Sequence, residues 1–304
     1  MHRTPVRSTR RHSSGNDAGT IPGRGTALRR LMFRPALPLV AAVLLAGCAS
    51  TAPGGRSQLA VPQPISSLYS SLDLKLTLAS LSTVADSCAG IQCEVDKGFE
   101  RQVARLGTRL ADAAYESYPD LRQRIPKFSF MVAEKIDGGS SSDASGTIVI
   151  YRGVRQAALD EETLAWLIAN EMGHVIARHH DEKSAATVIS SLVAQVLLAP
   201  ANLARGLAFI ASSTATALGK GFIGTGNASE RRKEADAIAL DLLSRQGWTD
   251  TEITDSLLDY SNRLGKNPWS DEVKRSAARL NEHRSAEILA LAQAPLRWNP
   301  PGQE

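Results

Sequence analysis

Cysteine, aromatic residues and histidine are all scarce in this chain of 304 residues, which holds 3 cysteines, 5% aromatics and 6 histidines. So few cysteines exclude a disulfide-dense miniprotein. With 43% hydrophobic and 22% charged residues, the chain is neither a disordered polyelectrolyte nor a collagen-like repeat. Long apolar runs are missing too, and a bilayer-spanning helix needs about 20 such residues. The run Ala36 to Ala46 is too short, and Thr187 to Ala211 is broken by Gln195, Pro200, Asn202 and Arg205. That second stretch reads as one or two helices buried against the domain or covering a groove.

Acidic residues are nearly absent from the first 47 positions, which hold eight arginines and only Asp17. The formal charge of +4 therefore belongs to this leader, and the rest of the chain is mildly acidic. No basic face is left for phosphate, which excludes nucleic acid as a partner. From Met32 the sequence reads as a secretion signal, with one arginine before the apolar run. It ends in Leu45-Ala46-Gly47-Cys48, which resembles a bacterial lipobox with Cys48 as the lipidated first residue of the mature chain. The alternative is a buried cysteine after a core helix. Ala49 and Ser50 follow without an aspartate, which in lipoproteins of this type implies outer-membrane sorting. Translation starting at Met32 fits better than an unusually long signal, and Arg29-Arg30-Leu31 is weak as a twin-arginine motif. Cys88 and Cys93 form either a small loop disulfide or two free thiols.

Boundaries follow from composition: leader 1–47, a Pro- and Gly-broken tether 48–65, an N-terminal extension 66–96 and a main domain 97–295. Leu72, Leu74, Leu76 and Leu78 alternate with polar residues, which predicts a strand, although the Ser- and Ala-rich flanks also admit a helix. Phe99, Val103, Leu106 and Leu110 predict an amphipathic helix over Lys97 to Tyr118. Phe128–Ala133 and Thr147–Tyr151 predict two strands, antiparallel across a loop at Gly138 to Asp143. Asp160 predicts the N-cap of a helix with Glu161 and Glu162 in its first turn. Ser229 can cap another helix that runs through Leu243 with Gly247 as its stop, and two more cover Asp250–Leu264 and Asp271–Ala292. The pattern Gly219, Gly221, Gly224 follows no strand and reads as a flexible loop.

The first of those helices carries Asn170-Glu171-Met172-Gly173-His174. A zinc-hydrolase helix has H-E-x-x-H, because imidazoles at i and i+4 share a face and grip one ion, while the glutamate takes a proton from metal-bound water. Here Asn170 holds the first ligand position, while Glu171 and His174 stand where the motif demands. Glu234-Ala235-Asp236, on a separate helix, supplies a candidate third ligand.

On these residues, ANEMGHVIARH followed about sixty positions later by E-A-D, the chain resembles the gluzincin metallopeptidases of the CAAX prenyl protease and HtpX family, including its periplasmic lipoprotein members. The likeness covers roughly Lys97 to Ala292. It implies one Zn2+ held by the residue at 170, His174 and Glu234, with Glu171 as general base and Asp236 orienting a ligand. It also implies that Thr147–Tyr151 is an edge strand onto which an extended peptide adds.

The sequence departs from that family in three places. Asn170 replaces histidine, and an amide oxygen is a weak donor for zinc. The loop before the expected edge strand reads SSSDASGT, where relatives show an asparagine-alanine element and a glycine pair. The late histidine motif appears only as Glu282-His283-Arg284. His283 is the natural recruit for a missing ligand. Projected along one continuous helix, His179 and His180 fall on other faces than His174, solvated or supporting a ligand. His283 or Arg178 is a candidate to steady an anionic intermediate, and Arg178 is otherwise a salt-bridge partner for a Glu or Asp on the neighbouring helix.

The expected fold is α+β and zincin-like, a mainly helical domain with a small sheet whose edge strand borders the active-site helix. The expected function is a lipid-anchored zinc metalloendopeptidase of the outer membrane, facing the periplasm and cutting extended or misfolded envelope proteins. The alternative is a catalytically inactive relative that binds peptides or envelope partners.

Overall fold

Thr147–Tyr151 is apolar on both faces, and in the computed structural model both faces are covered. The structure describes residues 49–53, 55–59, 61–81, 91–187 and 228–293, all within the unit Cys48–Glu304. The lipidation position Cys48, the Cys88 half of the candidate disulfide, the apolar stretch beyond Thr187 and the Gly219–Gly224 pattern lie outside the described residues.

In chain order, a short hairpin of β1 (Ala49–Thr51) and β2 (Ser57–Leu59) leads into α1 (Gln63–Ser80). There follow α2 (Ile91–Ser117), the single turn α3 (Leu121–Arg124), β3 (Ser129–Ala133), β4 (Ser140–Ser142) and β5 (Thr147–Tyr151). After a 3-10 turn come α4 (Glu161–Ile176), the helical segment 179–187, α5 (Ala228–Arg245), α6 (Asp250–Arg263) and α7 (Pro268–Gln293). The protein is mostly helical with a small mixed sheet, an α+β arrangement.

The leucine alternation around residue 74 belongs to a helix, α1, and not to a strand. Leucines two apart in a strand pattern are also four apart in pairs: Leu74 and Leu78 pack on Val149 and Tyr151, while Leu72 and Leu76 face outwards. Pro64 in the first turn suits a helix start. The stretch read as a tether holds the β1–β2 hairpin, registered Ala49 with Leu59.

The sheet order is β3-β5-β4. β3 and β5 are parallel and not the antiparallel pair expected, and β5 is the central strand and not an edge. The reason lies in the turn: the loop-like serines form β4, and the reversal is made by Asp143 to Gly146. The Asp143 carboxylate accepts from the N–H groups of Ser145 (2.9 Å) and Thr147 (3.1 Å), and Gly146 takes φ 90°. Ile148 and Ile150 point into the main core and Val149 and Tyr151 against α1. The edge strand bordering α4 is β4.

α4 runs through the centre of the domain. Asp160 caps it as expected, accepting from the Thr163 N–H at 2.8 Å. Leu164, Ile168, Met172 and Val175 are buried, and α5 packs so closely that a Cβ on Gly173 would sit 2.6 Å from the Ala235 carbonyl oxygen. α5 ends near Gly247, whose φ is 93°, and a reciprocal capping box of Thr249 and Glu252 opens α6. Tyr260 ties α6 to the sheet end by donating to the Val154 carbonyl at 2.7 Å.

Two alanine substitutions separate helix propensity from packing. In a helix interior Gly→Ala gains about 1 kcal/mol. At Gly98 an added Cβ has only an arginine tip 4.0 Å away, so Gly98→Ala is expected to stabilise by about that amount. At Gly173 the obstacle is backbone, which cannot rotate aside, so Gly173→Ala is expected to destabilise by about 1–3 kcal/mol. Equilibrium denaturation of both variants checks the opposite signs.

Candidate active site

Asn170, Glu171 and His174 lie on the last turns of α4, facing α5, α7 and β4. The helix stops at Ala177, and Arg178 takes φ 62°, a left-handed conformation that turns the chain before helix resumes at 179. Projecting His179 and His180 along an unbroken helix is therefore wrong. His179 is buried, and both return to the site. The Arg178 side chain turns away onto Asp181, three residues further on, with Nε donating at 2.6 Å; it forms a salt bridge within its own segment and not to the neighbouring helix, and it does not line the cleft at Glu171.

His179 lies between His174 and Glu234. Its Nδ1 is 2.8 Å from Nδ1 of His174, and its Nε2 is 3.1 Å from Oε2 of Glu234. Burial drives the His179 pKa down to about 2, so the ring is neutral. A carboxylate only accepts, which assigns the single proton of His179 to Nε2 and leaves Nδ1 as acceptor. His174 then donates from its own Nδ1, and its Nε2 keeps a free lone pair.

Glu234 does not stand beside Glu171. It accepts from Arg56 Nη2 at 3.0 Å, and Arg56 also pairs with Glu182. Glu234 lines a cavity of about 450 Å³ with Arg56, Tyr118 and Lys233. Glu171, His174 and Asn170 line a separate one of about 240 Å³.

Asn170 points its amide nitrogen at Asp236, donating to Oδ1 at 2.9 Å. Arg279 of α7 donates to the other oxygen of Asp236 at 2.8 Å. Burial pushes the Asp236 carboxyl above its usual range, against the opposing pull of Arg279. His283, the expected recruit, is exposed; the row that lines the cavity on α7 is Glu272, Ser276 and Arg279, and position 283 is one turn beyond it.

Glu171 receives a hydrogen bond on each carboxylate oxygen, from Ser140 Oγ at 2.8 Å and from Ser142 Oγ at 2.6 Å. Ser142 spends its only proton on Glu171, so His180 donates to it from Nε2, at 2.9 Å. Desolvation, with the field of His174 behind it, lowers the His180 pKa to about 3. Ser141, on the opposite face of the strand, bonds Tyr151 instead. Sequence reasoning missed Ser140, Ser142 and Arg279, and it put His180 on another face of the helix. Serines at positions two apart in a strand share a face, so the first two were readable once SSS was taken as strand.

This donor set does not fit the zinc site that the sequence resemblance implies. Among the described residues no three His, Cys, Asp or Glu side chains form a group that could hold an ion. At position 170 an amide N–H is directed at a carboxylate, and the Glu234 carboxylate is held by a guanidinium. Trp166 lines the same cavity, and its Nε1–H has no partner among the described residues.

Residues 139–278, somewhat under half of the chain, match the model of peptidase family M48, a span that runs from just before β4 into α7. That likeness points to a metallopeptidase. No curated protein matches the chain.

The low pKa of His180 makes a prediction with a definite sign. The folded ring stays neutral down to about pH 3, while in the unfolded chain it takes a proton near pH 6.5. The stability this group contributes is full above pH 6.5 and is lost as pH falls towards 3, at up to about 1.4 kcal/mol per pH unit. The melting temperature is expected to drop between pH 7 and pH 5, and His180→Gln is expected to make that drop shallower. Equal slopes in the two proteins would remove the assignment.

Proposed function

We propose that this protein is a metallopeptidase-type, zincin-like protein of the cell envelope that holds extended polypeptide in the cleft beside α4 without cutting it in the arrangement described. The observation that carries this is the engagement of the expected carboxylate ligand, Glu234, by Arg56 and His179, together with the neutral amide at position 170, whose nitrogen is held by Asp236. Replacing an imidazole nitrogen by an amide costs zinc affinity on its own, since the ion prefers N and S donors. Here the amide donates to Asp236, which leaves a single neutral oxygen to face an ion.

The cleft suits a peptide. β4 is an edge strand alongside α4, the arrangement in which a chain adds by backbone pairing. Arg279, Trp166 and Asn170 line the wall opposite Ser140 and supply polar groups for peptide carbonyls and side chains. The lipobox-like end at Cys48 supports anchoring in the outer membrane with the domain in the periplasm, and extended or misfolded envelope proteins as partners. No helix among the described residues is long and apolar enough to cross a membrane.

A zinc endopeptidase is the second reading, favoured by one observation. Glu171 is held by two serine hydroxyls and faces the cavity beside His174, where a general base belongs. It requires Glu234 to leave Arg56 and join His174.

Elemental analysis of the purified protein, with assays on a reduced, unfolded substrate, separates the two. The expected result is zinc well below one ion per chain, saturable binding of the unfolded chain and no chelator-sensitive cleavage. Stoichiometric zinc with cleavage abolished by chelator and by Glu171→Gln would instead establish the hydrolase. Asn170→His is expected to raise zinc occupancy; unchanged occupancy would mean that residue 170 does not face the ion position.

A further inference from the structure

α1 is amphipathic the wrong way round for a helix packed on a domain. Its buried face carries Ser66, Ser70 and Leu74. Ser66 donates to Asp181, Ser70 accepts from the Ala144 N–H at 2.9 Å, and Ser71 beside them donates to Asp143 at 2.9 Å. Its outer face carries Ile65, Leu68, Leu72 and Leu76, exposed by 41, 61, 49 and 56%. These are four of the seven large hydrophobics that are exposed among the described residues. At about 100° per residue they fall in one stripe less than a quarter-turn wide and about 16 Å long. A contiguous apolar patch on an otherwise ordinary surface marks an interaction site.

We propose that this stripe seats the protein on a lipid bilayer, with α1 lying in the plane of the membrane surface. The proposal rests on the reading of Cys48 as the lipid-bearing residue, because the hairpin brings that point and the helix together. Ala49 is registered opposite Leu59, and α1 begins four residues after Leu59. On that reading the acylated residue is next in sequence to Ala49, the end of the hairpin that pairs with Leu59, and so within a few residues of the start of α1 and its apolar stripe. The charges agree with this placement. Lys75 is exposed at the rim of the stripe, where its ammonium reaches lipid headgroups, while the Asp73 carboxylate is paired at the surface with Lys183 at 2.6 Å. The serines of the inner face fix the helix to the β4–β5 turn, so seating the stripe also sets how the cleft is turned towards the periplasm.

The test uses the mature chain from residue 48 with Cys48→Ser, which has no acyl group, and vesicles of phosphatidylethanolamine and phosphatidylglycerol. This chain is expected to float with the vesicles. Leu68→Ser/Leu72→Ser/Leu76→Ser in the same background is expected to lower partition by about tenfold or more while keeping the far-ultraviolet spectrum. Equal flotation of the two proteins, or flotation of neither, overturns the proposal. So does a concentration-dependent dimer that disappears in the triple variant, since the stripe would then be covered by a second copy. Metabolic labelling of Cys48 with a fatty acid tests the anchoring separately: incorporation is expected, and its absence beside intact flotation overturns the anchoring and not the seating of the stripe.

Discussion

The approach of α4 to α5 at Gly173, where only a hydrogen side chain fits against the Ala235 backbone, decides which groups can meet in this protein. With the two helices this close, Asn170 reaches Asp236 directly, and Asp236 is in turn clamped from α7 by Arg279. The three helices are tied through one buried carboxylate. That carboxylate accepts at both oxygens, which is what makes its burial tolerable. The same approach places Glu234, one residue before Ala235, on the side of α5 that looks towards Arg56 and not towards Glu171.

The helical frame was readable because its signals are local. Asp160 with two glutamates behind it, the glycine stop at Gly247, and the spacing of Phe99, Val103 and Leu106 all act within one or two turns. The chemistry-bearing residues of α4 were readable for the same reason. Strand pairing was not. Whether β3 and β5 run parallel depends on a turn at Asp143 that is written in the same polar letters as a loop, and those letters also hid β4. The leucine alternation in α1 misled because period two and period four coincide when every second residue is apolar.

His179 and Arg56 show a different limit. A single residue with positive φ, Arg178, redirects the chain after α4, and arginine carries no sequence mark of that conformation. Everything downstream of it, including the link from His174 through His179 to Glu234, lies beyond what helical projection can reach. Arg56 sits in a hairpin far from Glu234 in sequence, within a stretch whose prolines and glycines read as a tether. Its pairing with Glu182 and Glu234 is a tertiary fact with no local trace. Arg279 is intermediate: it stands one turn before His283, so the helix was right and the position one turn out.

Three consecutive serines form β4, with the outer two turned to Glu171 and the middle one to Tyr151. In most strands a slip of one residue exchanges inward and outward side chains and ruins both faces. Here such a slip would still offer a hydroxyl on each side. The grip on the carboxylate would then fall from two hydroxyls to one, Ser141 alone, so a slip weakens the contact without leaving Glu171 unmet, a partial fault tolerance written in the dullest stretch of the sequence.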